Sequence, residues 1–124
     1  MRARITAGLV LAAEAGHLVA AYEEAAAWPL LSGCQVIFAA VYGLLSAALL
    51  RHPPGRRAVR TATGMALTLP LLWLGTRTLG LPTYLTFTQL EVTPAGIGTT
   101  LVEVALAAAL LTGPATRKGG CVTS

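Results

Sequence analysis

Charge is what this chain has least of. Charged residues make up 11% of its 124 residues, against the roughly one quarter that soluble domains carry. A soluble helical bundle needs a polar outer face on every helix, and several long stretches here offer none. Cysteine is scarce as well. Cys34 falls near the outer end of an apolar stretch and Cys121 in a basic tail, so a bilayer would separate the two and no disulfide framework follows. The closing "CVTS" formally matches a prenylation signal, but a four-span protein gains little from a lipid anchor and the match reads as coincidence. There is no glycine-rich phosphate loop, no nucleophile set beside a base and an orienting group, and no basic stripe for nucleic acid. Soluble enzymology and nucleic-acid binding are therefore not indicated.

What is present is apolar length. Hydrophobic residues make up 55% of the chain, gathered in four stretches: Ile5 to Tyr22, Leu30 to Leu50, Ala62 to Leu81 and Gly96 to Thr112. Each is near the ~17 to 25 residues that a helix rising 1.5 Å per residue needs to cross a hydrocarbon core of about 30 Å. The expected fold is all-α: a transmembrane four-helix bundle forming one domain over residues 1–124. Its first partner is the lipid bilayer.

The nine basic residues set the orientation. Arg2 and Arg4 precede the first stretch, Arg51, Arg56, Arg57 and Arg60 lie between the second and third, and Arg117 and Lys118 follow the fourth. The opposite loops carry Glu23, Glu24 and Glu91 and no Lys or Arg. The positive-inside rule puts both termini in the cytoplasm, the membrane being the plasma membrane. A competing reading makes "MRARITAGLVLAA" a signal peptide with a small-x-small cleavage site at Ala13-Glu14-Ala15. Apolar character resumes through Ala21, and cleavage would move the new N-terminus outside, against the charge count.

Proline and small residues punctuate the rest. Pro29 opens the second stretch, "RHPPGRR" makes a rigid cytoplasmic turn, Pro82 closes the third, and Pro94 and Pro114 bracket the fourth. The segment "LPTYLTFTQLEVTP" alternates in a weakly strand-like way; an interfacial loop is the plainer reading. Gly8, Ala12, Gly16 and Ala20 repeat at four-residue spacing, as do Ala39, Gly43 and Ala47, which suits close helix approach in lipid.

Four ionisable side chains stand inside the apolar stretches: Glu14, His17, Arg77 and Glu103. With 1.5 Å per residue they fall about 6 to 12 Å below the outer boundary, in one layer. Lipid exposure is expensive for each of them. Helical spacing supplies supporting faces: Pro70, Trp73 and Arg77 on the third helix, Thr99, Thr100, Glu103 and Ala107 on the fourth, and Gln35, Ala39 and Tyr42 on the second. Arg77 is expected to pair with Glu103 or Glu14, or else to snorkel to the headgroups. His17 has several candidate roles. Helix-joining hydrogen bonds come first and a proton-responsive network second. Haem or metal ligation at His17 follows, since one Glu-x-x-His is half of what a di-metal bundle uses.

The chain resembles a group of small, functionally unassigned bacterial four-span membrane proteins. These pair His-Leu near the end of the first span with Trp-x-x-Ser-Arg-Thr-x-Gly-x-Pro closing the third. The matching residues are His17-Leu18 and Trp73, Thr76, Arg77, Thr78, Gly80 and Pro82, with Glu91 and Glu103 as acids before and within the fourth span. Thr76 stands where the group has serine, no second histidine stands near Glu24, and Thr99 and Thr100 occupy the place of an aspartate. The resemblance implies architecture and little mechanism. The leading expectation is a non-enzymatic membrane protein, self-associating or serving as an accessory subunit, held together by its polar cluster. The runner-up is a proton- or ion-linked carrier or sensor using the same residues.

Overall fold

The computed structural model describes residues 2–51, 55–82, 87–88 and 90–112. Four helices carry the fold: α1 (Arg2–Glu24), α2 (Pro29–Leu49), α3 (Arg56–Thr78) and α4 (Pro94–Leu111). Pro29 and Pro94 stand in the first turns of α2 and α4, where a missing N–H costs nothing. At α4 the cap is completed by Thr93, whose hydroxyl accepts from Gly96 N at 3.1 Å. The end of α3 is set by Gly80, whose φ of 90° is open to glycine but strained for other residues. The amides of Leu79 and Gly80 both return to the Gly75 carbonyl, at 2.8 and 3.1 Å.

Two boundaries differ from those read off hydrophobicity. The third helix begins at Arg56 rather than Ala62 and stops at Thr78 rather than Leu81. Arginine is a good helix former, so the basic residues extend the helix. The alternation that follows α3 yields a two-residue antiparallel ladder, β1 (Leu81–Pro82) on β2 (Phe87–Thr88), with Leu81 opposite Thr88. Leu90 is buried and its amide donates to the Thr76 carbonyl at 3.1 Å, which ties this connection to the end of α3. The middle of the alternating segment, residues 83–86, lies outside the described residues, as do Cys121 and the "CVTS" end.

Among the described residues, three helices are long and apolar enough to cross a membrane: α1, α2 and α4. α3 has the length and lacks the apolarity. Arg56, Arg57, Arg60 and Arg77, five threonines and Pro70 all fall within it.

Each helix packs against its neighbours in sequence, and α4 closes back on α1. The seam between α2 and α3 is the sparse one. The C-terminal ends of α1 and α3 share one end of the bundle with the starts of α2 and α4, as the Glu24–Arg77 contact and the Leu90–Thr76 bond require. In the other half, Val10, Ala13, Leu45, Leu49, Ala62, Ala66, Leu69, Leu106 and Leu110 form an apolar core, with Tyr42 at its upper edge. The outside is apolar too: Leu30, Leu44, Leu71 and Leu101 are 64–85% exposed. A monomer in water rarely presents so much contiguous apolar surface.

Candidate functional site

Above the apolar core sits a polar layer whose centre is His17, 5% exposed. Its register on α1 explains the burial. Val10, His17 and Glu24 follow at seven-residue spacing, two helical turns, and so share the inward face. The imidazole stacks on the Tyr42 ring at a centroid distance of 5.5 Å and meets the Phe38 ring edge-on at 5.7 Å.

Both ring nitrogens are engaged. Nδ1 lies 2.5 Å from Gln35 Oε1 on α2, and Nε2 lies 2.8 Å from Glu103 Oε1 on α4. An amide oxygen only accepts, so the proton on Nδ1 is fixed by Gln35. The proton between Nε2 and Glu103 can reside on either atom, giving an ion pair or a neutral acid–imidazole bond. Tyr42 donates its hydroxyl to the same Glu103 oxygen at 3.0 Å. Glu103 itself is 2% exposed, on the inward face of α4 with Thr99, Leu106 and Leu110.

The network continues outward. Gln35 Nε2 donates to Glu24 Oε2 at 3.4 Å, and Glu24 Oε1 meets Arg77 Nη2 at 3.3 Å. Arg77 also donates from Nη1 to Thr76 Oγ1 at 2.8 Å and from Nε to the Glu91 carbonyl at 3.2 Å. Its guanidinium lies 5.2 Å from the centroid of the Trp73 ring, a cation–π contact. A continuous line of contacts thus runs from buried Glu103 through His17, Gln35 and Glu24 to Arg77, touching all four helices.

The structure brings together His17, Gln35, Tyr42 and Glu103, and stacks Arg77 on Trp73. It differs from expectation on two residues. Arg77 pairs with Glu24, not with Glu103 or Glu14, because α3 ends at Thr78 and places the guanidinium level with the last turn of α1. Glu14 faces α2 instead of joining the cluster: a Cβ on Gly43 would come within 2.9 Å of its Oε1. Hydrophobicity counts Glu24 as a loop acid; its two-turn spacing from His17 is the signal that points to its role. Thr99 bonds back to the Ala95 carbonyl at 2.8 Å and packs its side chain against Gly16, where any Cβ would overlap it.

The polar layer walls a cavity of about 250 Å³. His17, Glu24, Gln35, Arg77, Thr100 and Glu103 are among its polar lining, and Leu31, Phe38, Leu69 and Leu72 among its apolar lining. A buried group on this wall is unsatisfied: Trp73 Nε1 has no hydrogen-bond partner among the described residues. Among the described residues no group of three or more His, Cys, Asp or Glu is placed to hold a metal ion. A metal or haem at His17 would have to displace Glu103 or Gln35 from a ring nitrogen.

No protein-family model, curated protein or solved structure matches the chain.

Proposed function

We propose that the chain is a non-enzymatic integral membrane protein that crosses the plasma membrane four times, with both termini cytoplasmic, and takes up a small ligand as a carrier or sensor. The observation that carries this reading is the cavity between the helices, walled by the His17–Glu103 network and by an indole donor with no partner. Structural bracing alone accounts for the hydrogen bonds but leaves the cavity unexplained. The proton held between His17 and Glu103 gives the site a means of linking ligand to proton.

Membrane insertion of α3 is part of the proposal. Its cost is reduced by hydroxyls that bond back to helix carbonyls, Thr63 to Val59, Thr76 to Trp73 and Thr78 to Leu74, each at 2.8 Å. Arg77 sits in the last turn, where the helix dipole favours a cation and Glu24 pairs with it.

The test is to purify the protein in mild detergent and analyse an organic extract beside Thr100→Trp, which fills the cavity. A stoichiometric small molecule present in the first extract and missing from the second supports the reading; identical extracts remove it. Metal content and visible absorbance of the same preparation, beside His17→Ala, test ligation at His17. The self-associating or accessory-subunit reading draws on Gly8 and Ala12, which are exposed on α1 with open space around Gly8. Its measurement is the molecular mass in detergent.

A further inference from the structure

The charges that line the cavity are already matched. Glu24 is met by Arg77, and Glu103 by His17 and Tyr42. An ionic ligand would therefore bring an uncompensated charge to membrane depth, which is costly. What the lining lacks is an acceptor. Trp73 Nε1 is a donor only, it is buried, and no described residue accepts from it. Buried donors in native structures are nearly always paired, and one left orphaned on a cavity wall points to a group that arrives from elsewhere.

The indole is also held in place. Arg77 lies over its ring at 5.2 Å. Its N–H edge rests on Gly96, where a Cβ would stand 2.6 Å from Nε1 and 3.2 Å from Thr93 Oγ1. Only a glycine allows that approach, so the donor cannot turn aside to find another oxygen while α4 keeps its place. Around this donor the remaining wall is largely hydrocarbon and aromatic, from Leu31, Phe38, Leu69 and Leu72. These residues come from α2 and α3, the two helices that meet most sparsely, so the way in runs between them from the lipid side.

We propose that the cavity binds a compact, uncharged, apolar molecule bearing a carbonyl oxygen, a ketone or quinone in chemical class, which accepts a hydrogen bond from Trp73 Nε1. The assignment rests on the ligand-binding reading above and narrows it. Apolar bulk fills the hydrocarbon part of the cavity, and one directed bond fixes orientation, the usual division of labour in small-molecule sites.

The test uses full-length protein in detergent, with ¹⁵N-labelled tryptophan and the Trp73 indole signal assigned by Trp28→Phe. Acetophenone is titrated as the carbonyl probe and ethylbenzene as its counterpart without the oxygen. The expected result is a saturable downfield shift of the Trp73 N–H with acetophenone and binding about three- to tenfold weaker for ethylbenzene, the effect of one hydrogen bond. Trp73→Phe, read by the thermal midpoint at saturating probe, should lose that preference while still binding both. Gly96→Ala, which pushes on the indole edge, should weaken acetophenone more than ethylbenzene. Equal affinity of wild-type protein for both probes overturns the carbonyl assignment and leaves the cavity as an apolar site. If neither probe gives a saturable shift, or the Trp28 signal moves as far as that of Trp73, the cavity does not bind and the underlying reading fails with it.

Discussion

At the residue scale the protein turns on one imidazole whose two nitrogens have different freedom. Gln35 fixes the proton on Nδ1 of His17, so Nε2 is the atom whose protonation can change, and it faces Glu103. Interhelical hydrogen bonds within membranes contribute about 0.6 kcal/mol on average and up to about 1.7. A double-mutant cycle of His17→Gln and Glu103→Gln should give a coupling within that range by thermal unfolding in detergent. Tyr42→Phe, which deletes the second bond to the same oxygen, should cost about 0.6 kcal/mol. Zero coupling would mean that the pair does not hold α1 to α4. Arg77 offers a contrast, since it makes three polar contacts and one aromatic contact. Arg77→Gln should destabilise by about 1.5 to 3 kcal/mol, the range for bonds to charged groups. Arg77→Lys should not restore the loss, because an ammonium cannot reproduce a planar fork. Glu24→Gln should cost less, since an amide oxygen still accepts from Nη2, and the double mutant should lose less than the sum.

At the scale of single elements, what is legible in the sequence is what helical spacing encodes. Gln35 and Tyr42 share a face of α2 at seven-residue spacing, and Thr99 and Glu103 share one of α4, so their convergence on His17 can be read from numbering alone. Partner choice between helices is not legible, because it depends on where each helix ends. Hydrophobicity runs past Thr78, whereas Gly80 and the Gly75 carbonyl stop α3 earlier and bring Arg77 to Glu24. The small-residue stripe of α1 is legible as a pattern but not in extent: Gly16 touches Thr99, while nothing lies within 4 Å of a Cβ on Gly8. Gly16→Ala should therefore destabilise by about 1 to 3 kcal/mol through overpacking, and Thr99→Ala should recover much of it. Gly8→Ala should be neutral or add up to about 1 kcal/mol from helix propensity. Equal effects at the two glycines would contradict the observed α1–α4 contact.

At the scale of the whole molecule, the question is whether α3 crosses the bilayer, because its composition alone falls short of a span. The arrangement of its ends supplies the argument. If α1 crosses, Glu24 stands at the outer surface, and Arg77 pairs with it there. The start of α3, with Arg56, Arg57 and Arg60, then lies a helix length away, about 35 Å for its 23 residues. That distance exceeds the hydrocarbon thickness of about 30 Å, so the basic residues fall on the inner side, as the positive-inside rule requires. Accessibility can decide it in a Cys34→Ser, Cys121→Ser background, with Gly55→Cys and Val92→Cys as single reporters in intact cells. Crossing by α3 places Val92 outside and Gly55 inside, so a membrane-impermeant maleimide should label Val92→Cys at once and Gly55→Cys only after permeabilisation. If α3 lay on the inner surface instead, both positions would be protected until the cells were opened. The C-terminal tail would then emerge outside, and the Glu24–Arg77 pair could not form in the membrane.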